Sequence, residues 1–410
     1  MQVLKYKYRL YPTKEQEQSL LRFCGSQRYI WNHYLAEEQK RYTSDKKFNF
    51  YNHNAVDLTT LKKTIEWLQE VPSTSLQQTL RNLDRSLKQS FKKNKDSTKG
   101  FPKFKKKQNF SGSFSLTMVN SARNLKGNKF YVNKHLGIDI VLHRELPSDF
   151  ASCQVKQEGD RWFVVLTCKK AIAEKTIGTK SVGIDLNSKE YVLNNGVRYA
   201  LPKYLKENQF KIKTLQRRLS RKKNGSKHRR EAQLKLYKVH QTVTNKRLDY
   251  FNKLSFNLVR DYDTIILEDL DVKGIQKKMG RVIQDNGFSV FRAMIEYKAT
   301  LYGKETVIID RYFPSSQLCS QCRAVQKMSL SCRTYECKCC GSIIDRDLNA
   351  AINIQRAGAA PDENAFGDSQ LVSESVMIGK LIGVSEEGSL RIFSPQVVHL
   401  RNKYFNYTKC

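Results

Sequence analysis

Two Cys-x-x-Cys pairs, Cys319–Cys322 and Cys337–Cys340, are separated by 14 residues towards the C-terminal end of the chain. No other feature constrains the fold as tightly. Two short knuckles joined by a loop of this length offer four thiolates to one tetrahedral ion, the arrangement of a zinc ribbon. Gly341 follows Cys340 directly, and a knuckle turn takes a residue that tolerates positive φ. Cys339 stands beside this pair, but a one-residue spacer from Cys337 does not readily bring both sulfurs onto one ion. Cys339 and Cys332 are therefore expected to be spare thiols. Six of the ten cysteines fall within 22 residues, which points to metal in a reducing compartment and away from a secreted disulfide framework. A redox or disulfide pair is the competing reading.

The second knuckle runs straight into DRDLNAAINI, which reads as the start of a helix with Asp347 near its mouth. Two further carboxylates sit where a strand aims them inward: Asp185 in the apolar strand VGIDL and Glu268 at the end of TIILE. Singly, each has the look of an ordinary N-cap or rim carboxylate. Converging from two strands and a helix, they match what a two-metal phosphodiester hydrolase requires. Mg²⁺, or Mn²⁺ in its place, takes oxygen ligands, and two ions about 4 Å apart activate the attacking water and stabilise the leaving oxygen.

The 410 residues carry 73 Lys and Arg against 39 Asp and Glu, a formal charge of +34. That exceeds what solubility needs and points to a polyanionic partner. From Lys213 to Arg230 there are nine Lys or Arg and no acid, with Arg217, Arg218 and Arg221 among them. GFPKFKKKQNF interleaves Phe101, Phe104 and Phe110 with Lys103, Lys105, Lys106 and Lys107, a pattern suited to cations on phosphates and rings on bases, or to rings in a core. No apolar run approaches the roughly 18 residues of a membrane span, and MQVLKYKYRLYP lacks a signal-peptide core. A cytoplasmic, nucleoid-associated prokaryotic protein is expected.

VLKYKYRLYP reads as a strand, and Thr13 with Gln16 as a capping box opening a helix. Helical patterns continue to about residue 95. Strands dominate from about 110 to 175, the clearest being two alternating runs around Glu158-Gly159-Asp160. SVGIDLNSKEYVLNNG begins a new domain, followed by two helices joined at Asn224-Gly225-Ser226. Ile212, Leu215 and Leu219 line one, and Ala232, Val239, Val243, Phe251, Leu254 and Leu258 the other, the spacing of an antiparallel pair. TIILEDL is a buried strand, FRAMIEYKATLYG a helix and TVIID a strand.

In order along the chain, YPTKEQEQSLLRFCGSQRYIWNHYL, GFPKFKKK, VGIDL, ILEDL, FPSSQLCSQC and DRDLNAAINI resemble the TnpB family, transposon-encoded relatives of the type V CRISPR effectors. The resemblance covers most of the chain. It implies a multidomain α+β protein: a β-barrel wedge (1–12 and 100–177), an inserted helical recognition lobe (13–99), and a RuvC-like nuclease domain of the ribonuclease H fold (178–358) with a zinc ribbon inserted at 315–343. Residues 359–410 are expected to be a poorly ordered tail. The family's nuclease carboxylates fall on Asp185, Glu268 and Asp347, the second aspartate of DRDLN and not Asp345. Zinc is then structural and magnesium chemical. Alignment puts Tyr51 and Gln77 at a short motif beside the target, with an amide able to read adenine.

Three departures stand out. Asn187 stands where the family usually has glycine, and because asparagine tolerates positive φ better than most residues the turn is expected to survive; Arg323 stands where a glycine often follows the first knuckle and Lys338 where a proline often sits in the second, which bears on knuckle geometry and not on ligation. The resemblance implies an RNA-guided, Mg²⁺-dependent DNA endonuclease of a transposable element, acting as a monomer with guide RNA on double-stranded target DNA. A nuclease-independent regulator on the same scaffold and a compact type V effector are the competing readings. Because all three carboxylates are present, a nuclease-dead relative is not expected.

Overall fold

The structure is a computed structural model that describes residues 1–91, 100–107, 111–175, 178–271, 287–329 and 332–359. Phe110 and the tail expected beyond Ala359 lie outside these residues. Two compact units divide the chain, Met1–Lys170 with Lys223–Leu234, and Ala171–Lys222 with Lys235 onward.

The first unit begins with β1 (Gln2–Tyr11), then α1 (Lys14–Asp45), α2 (Phe50–Thr64), α3 (Glu66–Gln69) and α4 (Ser73–Phe91). It continues with β2 (Ser113–Thr117), α5 (Ser121–Asn124), β3 (Leu125–Lys126), β4 (Lys129–Tyr131), β5 (Gly137–Val141), β6 (Phe150–Glu158) and β7 (Arg161–Lys170). These strands form one antiparallel sheet in the order β2-β6-β7-β1-β5-β4-β3. Among the described residues no ladder joins β2 to β3, so the expected barrel is, by its pairing, a sheet with two edges.

β1 is central to that sheet although four helices separate it in sequence from its neighbours. Its alternation explains this: Tyr8 and Leu10 are fully buried while Val3 and Tyr11 are exposed, the period of a half-buried strand. The capping box forms as its residues predict, Gln16 N donating to Thr13 Oγ1 at 3.3 Å and Thr13 N to Gln16 Oε1 at 3.0 Å. On α4, Leu76, Leu80, Leu83 and Leu87 make one buried stripe, and they share a core with Tyr8, Phe114 and Trp162 of the sheet. Gly159, at φ +67, turns the β6–β7 hairpin.

The second unit holds β8 (Ser181–Leu186), β9 (Glu190–Leu193), β10 (Arg198–Ala200), α6 (Tyr204–Glu207), α7 (Gln209–Ser220) and most of α8 (Lys227–Asp261). β11 (Thr264–Glu268), α9 (Phe288–Leu301), β12 (Glu305–Ile309), β13 (Thr334–Glu336), β14 (Ile343–Asp345) and α10 (Arg346–Ala359) complete it. The larger sheet runs β10-β9-β8-β11-β12. β8, β9 and β10 pair antiparallel, while β8, β11 and β12 are parallel. On α7 only Ile212 is buried, and Leu215 and Leu219 are partly so.

Helices cover both faces of this sheet. Val182, Ile184, Ile265 and Leu267 pack with Phe251, Leu254 and Leu258 of α8 and Phe291 and Ile295 of α9. Ile266, one residue out of phase, packs with Ile354 of α10 on the other face. Gly183 lies on that second face too, where an added Cβ would stand 2.3 Å from the Gln355 backbone nitrogen. Only glycine allows α10 to approach so closely. Residues two apart on a strand share a face, so Asp185 and Glu268 fall on the α10 side.

Candidate active site and metal centre

Asp185 and Glu268 stand one step beyond the paired residues Ile184 and Leu267 of two parallel strands. Both therefore lie at the carboxyl end of the sheet, where open α/β sheets place their ligands. The amino end of α10 brings a third carboxylate, the buried Asp347. Asp185 feels the charges of the other two. Burial, then the charges of Glu268 and Asp347, push the Asp185 carboxyl up to about 8, against the pull of Arg346 and an Asn187 hydrogen bond. Burial also raises Glu268, whose Oε1 accepts from Ser315 Oγ at 2.5 Å. Among the described residues, the one group of three or more metal-binding side chains whose ligand atoms all lie within 4.8 Å is the cysteine cluster.

Asp347 is held from several directions. Asn187 Nδ2 donates to its Oδ2 at 3.0 Å, Arg333 Nη1 reaches the same oxygen at 3.3 Å, and Arg346 Nε and Nη2 reach Oδ1 at 3.1 and 3.0 Å. Asp345 has a different task. Its Oδ1 accepts from Asp347 N and Leu348 N, both at 3.0 Å, so it caps α10, and Arg198 pairs with it at 2.8 Å.

Asn187 does not use its tolerance of positive φ; among the described residues the left-handed non-glycine residues are Lys46, Phe50, Met118 and Arg323. Asn187 instead works through its side chain. Its Oδ1 accepts from Lys189 N at 2.9 Å and Glu190 N at 3.0 Å, which makes the β8–β9 turn and fixes the amide so that Nδ2 faces Asp347. Backbone tolerance was the wrong property to read from this asparagine, because its amide supplies the turn's hydrogen bonds directly. Ser315 and Arg333 also escaped the sequence reading: nothing in their spacing links them to carboxylates so distant in the chain.

The four knuckle cysteines meet as expected. Sγ of Cys319 lies 3.7 Å from that of Cys340, and Sγ of Cys322 lies 3.5 Å from that of Cys337. A tetrahedron with Zn–S bonds of about 2.3 Å has edges of about 3.8 Å, so the thiols fit zinc. The knuckles repeat one pattern: Arg323 N donates to Cys319 O at 3.0 Å and Gly341 N to Cys337 O at 2.9 Å. Burial raises the Cys337 thiol, but the N–H groups of Cys340 and Cys339 and the neighbouring sulfurs bring it down to about 7.

Gly341 takes φ +72 without strain, whereas Arg323 takes φ +61 with a Cβ. Such a residue costs roughly 1–2 kcal/mol. Arg323→Gly is expected to slow zinc loss to a chelator by about fivefold or more; a faster loss would show that the arginine side chain supports the knuckle.

The ribbon is strapped to α10. Asn349 Nδ2 donates to Leu318 O at 2.7 Å while its Oδ1 accepts from Ser320 N at 2.8 Å. Asn353 Nδ2 reaches Ser315 O at 2.9 Å and Leu318 O at 2.7 Å. Both asparagines are buried. One helix face therefore anchors the first knuckle and the residue that holds Glu268.

The remaining candidates are dispersed. Arg217, Arg218 and Arg221 are exposed. Lys103 is exposed, and its carbonyl accepts from Trp31 Nε1 at 3.0 Å. The Lys105 ammonium lies 3.9 Å from the Trp31 ring centroid. Gln77 lines a cavity with Lys62, Lys63, Gln69 and Ser73, and Tyr51 lies under the Arg81 guanidinium at 4.9 Å. No helix among the described residues is long and apolar enough to cross a membrane.

Family profiles match three stretches: "Helix-turn-helix domain" at residues 1–47, "Probable transposase" at 152–279 and "Cas12f1-like, TNB domain" at 288–354. Over the first stretch the structure has β1 followed by the unbroken α1. A Streptomyces pristinaespiralis protein named "Putative RNA-guided DNA endonuclease" is 36% identical over 88% of this chain and 90% of its own. The Escherichia coli K12 protein named "Putative RNA-guided DNA endonuclease InsQ" is 27% identical over 87% of this chain and 92% of its own. A solved Cas12f1–sgRNA–target DNA complex shares 16% identity over 87% of this chain and 99% of that one, with a TM-score of 0.32. A TnpB-like protein of Acanthamoeba polyphaga mimivirus is 33% identical over 33% of this chain and 28% of its own. With the Streptomyces relative matched along nearly its whole length, the chain belongs to the TnpB family.

Proposed function

We propose that this protein is an RNA-guided DNA endonuclease of a transposable element, hydrolysing phosphodiesters at Asp185, Glu268 and Asp347. The observation that carries the reading is the convergence of three carboxylates, from two parallel strand ends and the start of a helix, on one end of one sheet. In this reading the first unit supplies the wedge and the helical recognition lobe. The second is a RuvC-like nuclease domain with the zinc ribbon between β12 and α10.

The donor set fits magnesium: it is all oxygen and crowded with like charge. When bound there, the metal would activate water and stabilise the leaving oxygen. The protein's own groups position this set. Asn187 holds one oxygen of Asp347, Ser315 holds one of Glu268, and Asp345 fixes where the helix begins. Zinc, in the four thiolates, holds the ribbon.

The exposed basic residues would meet phosphates. Neutralising several of Arg217, Arg218, Arg221, Lys222 and Lys223 is expected to weaken nucleic-acid binding and flatten its salt dependence, by about 0.7–0.9 in the log–log slope per lost contact. An unchanged slope would place this run in free solvent.

The whole reading is tested by sequencing the RNA that co-purifies with the protein and offering a matched duplex with Mg²⁺ or with EDTA. Cutting of the matched duplex in Mg²⁺ alone supports it. RNA-directed binding with no cutting would make the protein a regulator.

A further inference from the structure

β11 presents Glu268 as its last residue, where the sheet supports it on one side alone. Glu268 is paired with Ile309 of β12, whereas the ladder to β8 ends one residue earlier, at Leu267 and Ile184. The backbone then turns, Leu270 N donating to Glu268 O at 3.2 Å. A carboxylate on a half-paired strand end needs support from elsewhere to serve as a ligand, because such groups must be held to within about 0.5 Å.

The next residue supplies that support. Asp269 is buried and in phase with Ile265 and Leu267, so it turns to the α9 face while Glu268 turns to the α10 face. Two arginines meet it there. Arg292 of α9 donates from Nη1 to Asp269 Oδ1 at 2.9 Å, and its Nε donates to Glu296 at 2.8 Å. Arg311, just past β12, donates from Nη2 to Asp269 Oδ2 at 2.7 Å and from Nε to the Asp269 main-chain oxygen at 3.1 Å. One guanidinium thus grips side chain and backbone together, a fork that lysine does not reproduce. The same loop carries Ser315, whose hydroxyl donates to Glu268. Residues 311 to 315 therefore close on the end of β11 from both faces. A buried ion pair seldom adds net stability over apolar packing, so this one is better explained by what it holds in place.

We infer that Asp269, Arg292 and Arg311 form a clamp that positions Glu268 for its metal, with Arg311 locking the strand end. The inference rests on the proposed hydrolysis at Asp185, Glu268 and Asp347. Arg311 is a positioning residue in this account: it acts through Asp269 and touches neither metal nor substrate. Mg²⁺ demands near-ideal octahedral oxygens, so a loosened Glu268 should harm Mg²⁺ more than Mn²⁺, whose geometry is more tolerant.

The test uses the full chain, with its co-purifying RNA for cutting and stripped of RNA for metal binding. Arg311→Ala and Arg311→Lys are each expected to slow single-turnover cutting of the matched duplex in Mg²⁺ by about 10–100-fold, to recover most of it in Mn²⁺, and to leave duplex affinity and its salt slope unchanged. Arg311 is exposed, and Arg311→Lys keeps its charge, so the pair separates geometry from folding and from charge. Without any cutting, electron paramagnetic resonance can follow Mn²⁺ at the site that Asp185→Asn removes. Displacing it should take about tenfold more Mg²⁺ in both variants than in the unaltered chain. Lys304→Ala is the control, since it breaks the Lys304–Asp263 pair at the opposite end of the same two strands; whatever it does to the melting temperature, the balance between Mg²⁺ and Mn²⁺ should not move. Equal losses in the two metals would overturn the clamp, and so would weaker duplex binding by Arg311→Ala, which would make Arg311 a phosphate contact. If the unaltered chain never cuts, the displacement by Mg²⁺ still decides the clamp. If no Mn²⁺ site depends on Asp185, the clamp and the proposed hydrolysis fall together, whereas a chain that cuts with its Arg311 variants unchanged removes the clamp alone.

Discussion

Asp347→Ala abolishes cleavage of guide-matched duplex DNA in Mg²⁺, and Asp345→Ala, two residues away, leaves a substantial part of it: this is the contrast the helix start leads us to expect. Loss of an oxygen ligand removes several kcal/mol of transition-state stabilisation, a fall of roughly a thousandfold or more. Loss of the Asp345 cap costs about 1 kcal/mol of helix stability, which frays the first turn of α10 without removing a ligand. Asp185→Ala and Glu268→Ala should match Asp347→Ala. All three should keep RNA and target binding, because a carboxylate adds nothing to affinity for a polyanion. Robust cutting by the Asp347 variant and none by the Asp345 variant would place the third ligand at the cap.

Asp185 adds a signature that activity alone does not give. Folding raises its carboxyl from the ordinary value to about 8, by burial first and then by Glu268 and Asp347. A group whose folded pKa lies above its unfolded one gives stability that is complete below the unfolded value, about 4, and is lost as pH rises through the folded one. In EDTA, therefore, this group lowers the melting temperature between about pH 4 and pH 8. Asp185→Asn should raise the neutral-pH melting temperature of the metal-free protein while removing cleavage, the trade expected of a residue kept for chemistry. A lower melting temperature would mark Asp185 as structural.

Cys340→Ser releases zinc and Cys339→Ser does not: the second large expectation follows from the 3.7 Å approach of Cys340 to Cys319 and from the absence of Cys339 from the cluster. Structural zinc contributes on the order of 10 kcal/mol of folding free energy, so three thiolates should not hold the ribbon closed. The effect should travel further. Asn349 and Asn353 tie the first knuckle to α10, so Cys340→Ser should depress cleavage as well as zinc content. Metal analysis with Cys339 required and Cys340 dispensable would refute this register.

What was legible in the sequence was local. The Thr13–Gln16 box, the Gly159 hairpin and the two knuckles are each written in a few adjacent residues whose spacing fixes their geometry. The apolar strands were legible for the same reason, and residues two apart on them carry Asp185 and Glu268 to one face. What stayed hidden was contact across sequence. Ser315 on Glu268, Arg333 and Asn187 on Asp347, and the asparagine strap on the first knuckle depend on how the ribbon folds back, which no short period encodes. Gly183 belongs to the same class: its need is visible only once Gln355 is known to lie 2.3 Å from where a Cβ would be. The Phe48 ring meets those of Tyr42, Phe91 and Phe101, far apart in the chain, and GFPKFKKK alone leaves open whether its rings stack or pack.

The last of the three carboxylates enters the chain at residue 347, in a helix whose partner strand ended at residue 186. At ribosomal speeds of about 5–20 residues per second, the interval between completing residue 170 and residue 347 is roughly 10–35 seconds. Parallel strands so far apart in sequence cannot pair until the intervening chain exists. Apart from the segment Lys223–Leu234, the first unit is complete well before then. Each newly made molecule therefore has time to fold its N-terminal sheet and helices while the carboxylates proposed for hydrolysis are still unsynthesised. The order of synthesis separates the folding of the first unit from the completion of the proposed cutting site.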